Sequence, residues 1–150
     1  MKKMKIDSFQ IEQEITIEAS RETVYKALTA EIDKWWTFRL GENESKLSID
    51  PKINGLFFED WGNGEGAVWG TITYLKENEE IRLNGILGMK GAVNSYYSYR
   101  LETVGNATVL KLSHEAIGFL EPHWEEAHKH GWNELLQQNL KTYIEKSEGL

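Results

Sequence analysis

Apolar and polar residues alternate from Phe9 to Ala19. Phe9, Ile11, Ile15 and Ile17 lie on one side, and Gln10, Glu12, Glu14, Thr16 and Glu18 on the other. A period of two predicts a half-buried antiparallel strand. Gln13 is the exception, because it shares the apolar side. The period then changes. Ser20 reads as a helix N-cap, Glu22 suits the helix dipole, and Val24, Ala27 and Leu28 give a short apolar face. Thr23 stands where a capping box would want Glu or Gln, so the box is incomplete. A second short helix is expected to carry Ile32, Trp35 and Trp36.

Period-two patterns and turn signals then predict strands over 46–49, 56–61, 67–76, 80–88, 95–104 and 107–114. Asn54-Gly55 and Gly105-Asn106 supply turn chemistry between them. In the last two strands Tyr97, Tyr99 and Leu101 oppose Ser98, Arg100 and Glu102, while Leu110, Leu112 and His114 oppose Lys111 and Ser113. The pattern lengthens over 122–146. Trp124, Ala127, Gly131, Trp132, Leu135, Leu136, Leu140, Tyr143 and Ile144 recur at spacings of three and four, one stripe on a helix of roughly 37 Å. Pro122 is well placed at its first position. Consecutive strands joined by hairpins predict an α+β fold. Its curved antiparallel sheet of about seven strands would wrap round the long C-terminal helix, with two short helices after the first strand.

These stretches resemble a known family. Residues 15–29, ITIEASRETVYKALT, are similar to the opening of the START/polyketide-cyclase superfamily. Gly55-Leu56-Phe57-Phe58 and Trp69-Gly70-Thr71-Ile72 resemble its middle strands. His130-Gly131-Trp132 with Leu135 and Leu140 resembles the last helix of the branch named for homology to the activator of the heat-shock protein 90 ATPase. The resemblance covers nearly the whole chain and implies a helix-grip (START-like, SRPBCC) fold with a cavity between sheet and helix. It also implies binding of apolar or aromatic small molecules, cyclisation in some members, and a co-chaperone from which the branch takes its name. That co-chaperone has an additional N-terminal domain, whereas the first strand here begins within ten residues.

Length and composition narrow the choice. One hundred and fifty residues fit a single domain, and 40% hydrophobic residues support a folded core. A net charge of −7 argues against nucleic acid, whose phosphates need an excess of Lys and Arg. Without cysteine there is no disulfide, thiol nucleophile or cysteine-bound zinc. The basic residues at 1–5 are not followed by an apolar run, and no stretch has membrane-span length, so a cytoplasmic location is expected.

Candidate chemistry is sparse. His123 and His128 are five apart, and His128 and His130 two apart, so neither pair shares a helix face as an i, i+4 metal pair would. No metal and no cofactor is expected. Strand parity points His114 inward, as a satisfied interior histidine, a pocket polar group or a proton carrier. Glu59 and Asp60 adjoin Trp61, and only one of the two can face a cavity. A carboxyl buried beside aromatics would have a raised pKa and could serve as an acid. Residues 62–66, GNGEG, lack the Gly-Lys-Ser/Thr ending of a phosphate loop and read as a hairpin connection. Asn139 interrupts the helix stripe, where a buried amide would need partners.

The resulting expectation is a ligand-binding module with no assigned catalytic residue, monomeric or homodimeric. A cyclase- or hydrolase-like enzyme using the same cavity and a heat-shock ATPase partner are the alternatives. A small apolar or aromatic molecule would lie between Trp132, Leu136, Asn139 and Leu140 on the helix and Leu83, Tyr97, Tyr99, Leu110, Leu112 and His114 on the sheet. Trp36, Phe57, Glu59 and Trp69 complete the expected lining.

Overall fold

The computed structural model describes residues 5–41 and 44–149; the basic start at residues 1–4, part of the export reading, lies outside them. Seven strands form one antiparallel sheet in the order β1-β7-β6-β5-β4-β3-β2. They are β1 (Asp7–Ile17), β2 (Lys46–Ile49), β3 (Leu56–Gly62), β4 (Glu65–Lys76), β5 (Glu80–Asn84), β6 (Val93–Val104) and β7 (Ala107–Gly118). Hairpins join β2 through β7 in sequence, and β1 closes the far side against β7. There Ile11 faces His114 and Ile15 faces Leu110. On β6, Tyr97 faces His114 and Tyr99 faces Leu112. The alternation seen in the sequence therefore becomes one continuous buried face. Register shifts at Phe57/Phe58 and Ile72/Tyr74 add bulges, which bend strands and deepen the curl.

Ser20 caps α1 (Arg21–Leu28), its Oγ accepting from the Thr23 N–H at 3.2 Å. The expected second helix is a single 3-10 turn, Ile32–Lys34, and Trp35 and Trp36 follow it. The Trp35 indole donates to the Ala27 carbonyl at 2.7 Å, which ties the turn to α1. The fifth strand stops at Asn84 rather than 88. Leu87 takes a left-handed φ of 48°, which a pleated strand cannot accommodate, and the chain leaves the sheet there.

The C-terminal helix runs for 24 residues, as α2 (Trp124–Trp132), a π-helical stretch (Asn133–Leu140) and α3 (Lys141–Ser147). It starts two residues later than expected: the Trp124 N–H bonds to the Glu121 carbonyl, so Pro122 lies in the turn before the helix. The wider i→i+5 turn of a π-helix rotates each residue less. Leu135, Leu136, Leu140 and Ile144 are thereby buried, while Asn139 sits at the edge of the stripe. Its amide is half-buried and donates to the Thr37 hydroxyl at 3.1 Å, so the expected interior polar irregularity is absent.

Candidate functional site: an aromatic-walled cavity

Three segments meet here: two loops without regular period and the N-terminal half of the C-terminal helix. The first, residues 36–41, leaves the 3-10 turn and crosses β3 and β4. Arg39 holds its start: the guanidinium donates to the Asp33 carboxylate at 2.8 Å and to the carbonyls of Asp33, Trp36 and Ser45. Glu59 holds its end. One carboxylate, fully buried on β3, accepts from the Leu40 N–H (2.9 Å), the Gly41 N–H (2.8 Å), the Trp61 indole (2.7 Å) and the Trp69 indole (3.0 Å). Burial alone would raise this carboxyl's pKa. The donors from Leu40, Trp61, Gly41 and Trp69 together outweigh it and hold the value down to about 2. The sequence expectation of a raised, acid-like carboxyl is therefore reversed, because the aromatics around Glu59 present N–H edges as well as apolar faces. Asp60 is exposed.

The second segment is the turn 85–92 between β5 and β6. His128 bridges it to the helix. Its Nδ1 lies 2.8 Å from the Trp124 carbonyl and its Nε2 3.2 Å from the Leu87 carbonyl. Both partners are acceptors, so a neutral ring serves one of them and an imidazolium serves both. The third segment is the helix itself, where Ala127 and Gly131 stand between larger neighbours. A side chain at Gly131 would touch the Phe38 ring at 3.4 Å.

Between these segments is a cavity of about 280 Å³. Trp36, Trp69 and Trp132 line it from the core side, and Phe38, Leu40, Leu87 and Met89 from the loops. Trp124, His128 and Leu135 line it from the helix. Trp36 meets Trp69 and Trp132 edge-on, with ring centres 5.6 and 5.9 Å apart. This is a flat-sided aromatic cavity, open to solvent past the exposed Phe38 and Leu40 and close to the small end of ligand-pocket volumes.

Of the sequence-predicted lining, the structure brings Trp36, Trp69 and Trp132 to the cavity wall. Phe57, Leu83, Tyr97, Tyr99, Leu110, Leu112, Leu136 and Leu140 are packed together in the core. The Tyr97 hydroxyl donates to the Trp69 carbonyl at 2.9 Å, and burial pushes both tyrosine pKa values upward. His114 is buried behind Trp132. The Trp132 indole donates to Nδ1 (3.1 Å), so the proton is on Nε2, which donates to the Ser95 hydroxyl (2.9 Å). Burial first, and the neighbouring His128 second, push its pKa down to about 3. No group of three or more metal-ligating side chains occurs among the described residues. None of their helices is long and apolar enough to cross a membrane.

A family model for "Activator of Hsp90 ATPase homolog 1-like protein" matches residues 18–145. The chain belongs to that family. Among solved structures, a Staphylococcus aureus protein of unknown function is similar over 97% of this chain and 98% of its own, with TM-score 0.73 and 17% identity. The Aha1 dimer from Colwellia psychrerythraea is similar over 91% and 96%, with TM-score 0.65 and 24% identity. CalU16 from Micromonospora echinospora is similar over 95% and 83%, with TM-score 0.65 and 20% identity. These likenesses establish the shared fold. No curated protein matches the chain.

Within this member of the Hsp90-activator-homolog family, sequence reasoning missed the loop walls, Phe38, Arg39, Leu40, Leu87 and Met89. They lie in aperiodic segments, where no pattern marks which side faces inward. Ala127 and Gly131 did carry a signal: two small residues on one stripe, four apart, leave space beside a helix.

Proposed function

We propose that this protein binds a small apolar or aromatic molecule in the cavity at the N-terminal half of its C-terminal helix. The observation that carries this reading is the unfilled aromatic enclosure itself. Core side chains elsewhere pack closely, as interiors do, yet here four indoles and four apolar loop residues line open space. An aromatic group burying about 200 Å² would gain about 5 kcal/mol at about 25 cal/mol per Å², before the costs of association. Taken whole, that gain corresponds to a Kd of about 0.2 mM, which the costs of association weaken toward the millimolar range.

Binding is favoured over catalysis by the state of the polar groups. Both oxygens of Glu59 are engaged by its donors, and both nitrogens of His114 are engaged behind Trp132. At the wall, Arg39 and His128 are tied to backbone carbonyls. Glu59, His114 and Arg39 are therefore not left free to exchange a proton with an occupant.

The test is a thermal-shift panel of bicyclic aromatic and alicyclic probes on the wild type and on Gly131→Leu. The new side chain would grow toward Phe38 and fill the cavity. Wild-type Tm should rise with saturating probe and the variant's should not. No shift across the panel, or equal shifts in both proteins, would reject the site.

A further inference from the structure

The cavity wall holds two basic side chains, Arg39 and His128. Arg39 stays charged, so His128 is the one whose hydrogen bonding can change with protonation. Its Nδ1 faces the Trp124 carbonyl at 2.8 Å and its Nε2 the Leu87 carbonyl at 3.2 Å. A neutral imidazole donates to one of them and turns a lone pair toward the other, whereas an imidazolium donates to both. Among the described residues, the Leu87 contact is the only hydrogen bond between the turn 85–92 and the C-terminal helix. Both ends of that turn are held elsewhere. The Gly85 N–H donates to the Ser95 carbonyl at 3.0 Å, and the Ala92 carbonyl accepts from the Phe119 N–H at 3.1 Å. The middle is strained. Leu87 has a left-handed φ of 48°, costly for a branched side chain, and Gly88 and Gly91 follow at 82° and 87°. Yet Leu87 and Met89 are buried and form part of the cavity wall. A turn that lifts at its middle relieves Leu87 and takes both side chains out of the wall.

The surroundings of His128 leave this choice to its own proton. From β7, His114 faces the ring with centres 5.3 Å apart, and it stays neutral down to about pH 3. From β1 the neighbour is Phe9, at 5.9 Å. On the helix, Glu125 and Lys129 pair with each other at 3.8 Å, and on the turn Lys90 is exposed. Among the described residues, the histidine paired with a carboxylate is His123. Taking the cavity as a ligand site, we infer that the turn 85–92 is its gate and that protonation of His128 latches the gate shut. Above the His128 titration the turn opens more readily and an occupant exchanges. Below it both carbonyls are bonded, the turn is pinned to the helix and the occupant is retained.

Hydrogen exchange of the full chain between about pH 8 and about pH 5.5 reads the latch without any ligand. The Met89 N–H, bonded to the Ile86 carbonyl at 3.0 Å, reports the middle of the turn, and the Gly85 N–H reports its anchored end. Corrected for intrinsic exchange, Met89 protection should rise about tenfold on acidification, the worth of one charge-assisted hydrogen bond. The rise should follow His128 protonation, monitored by 15N NMR of the ring, and Gly85 should not share it. Global stability declines over the same range, so it cannot supply a rise. His128→Gln keeps a donor but gains no proton, and there the rise should vanish. Unchanged Met89 protection in the wild type, a rise out of step with the ring titration, or a rise that persists in the variant overturns the inference. With a bound aromatic probe, dissociation from the wild type should slow about tenfold over the same interval; equal rates at both pH values overturn the gate. If no probe binds, the ligand-site reading and the gate fail together, while the exchange data still decide whether His128 latches the turn.

Discussion

Glu59→Gln is the most informative single perturbation, because one atom changes while volume is kept. The carboxylate's Oε1 accepts from Leu40 and Trp69, and its Oε2 accepts from Gly41, Trp61 and, more weakly, Leu40. An amide keeps one oxygen. Placed at the Oε2 site, that oxygen retains Gly41 and Trp61, but the new NH2 then faces the Trp69 indole, donor against donor. Loss of charge-assisted bonds and a stranded buried donor together cost about 3 kcal/mol. Linkage gives a similar figure. A carboxyl lowered from 4.5 to about 2 on folding, at about 1.4 kcal/mol per pH unit, stabilises the fold by about 3 kcal/mol when ionised. With a urea m-value of about 2 kcal/mol per M, the midpoint at pH 7 should drop by about 1.5 M. The sign follows from a depressed carboxyl. Its contribution is complete above pH 4.5 and disappears as pH falls through about 2, so the gap between wild type and variant should narrow on acidification. Midpoints at pH 7 that agree within about 0.3 M would show that the donors do not hold a carboxylate.

Two further substitutions probe the core behind the cavity. His114 is held neutral, its pKa lowered from 6.5 to about 3, so an unfolded chain takes up this proton first as pH falls; stability should be full above pH 6.5 and decline from there toward pH 3. His114→Gln should flatten the stability-against-pH curve between pH 6.5 and 5 relative to wild type, although the variant is less stable throughout; parallel curves would mean that His114 titrates alike in both states. Gly70 on β4 lies under Tyr97, where an added Cβ would meet the hydroxyl oxygen at 2.4 Å. Gly70→Ala should cost about 1–3 kcal/mol by overpacking, and less in a Tyr97→Phe background; an equal cost in both backgrounds would place the strain elsewhere.

The legibility of the chain followed its periodicity. Strand β1 and the stripe of the C-terminal helix could be read because burial alternates with a fixed period, and the resemblance at 15–29 and 130–140 pointed to the family that the comparison establishes. Two features within those elements were hidden. The π-helical stretch turns Asn139 off the sheet-facing side, and a stripe counted at α-helical spacing cannot register that change. Glu59 was read from its aromatic neighbours as an acid with a raised pKa, yet two of its four donors are backbone amides at Leu40 and Gly41, which no side-chain pattern reveals. The cavity was harder still. Parity along β5, β6 and β7 separates inside from outside but not filled from empty. Leu83, Tyr99 and Leu112 are inside and packed, whereas the space lies where Phe38, Leu87 and Met89 approach Ala127 and Gly131 from aperiodic loops.

The central claim is that the enclosure formed by Trp36, Trp69 and Trp132 receives a ligand. The most direct measurement is isotope-filtered NMR on 13C,15N-labelled protein with the tightest unlabelled aromatic probe from the thermal-shift panel. Intermolecular NOEs should connect the probe to the methyl groups of Leu87, Met89, Ala127 and Leu135 and to the indole protons of Trp36. NOEs confined to the outer face of the sheet, for example to Tyr96 and Ile117, would contradict it.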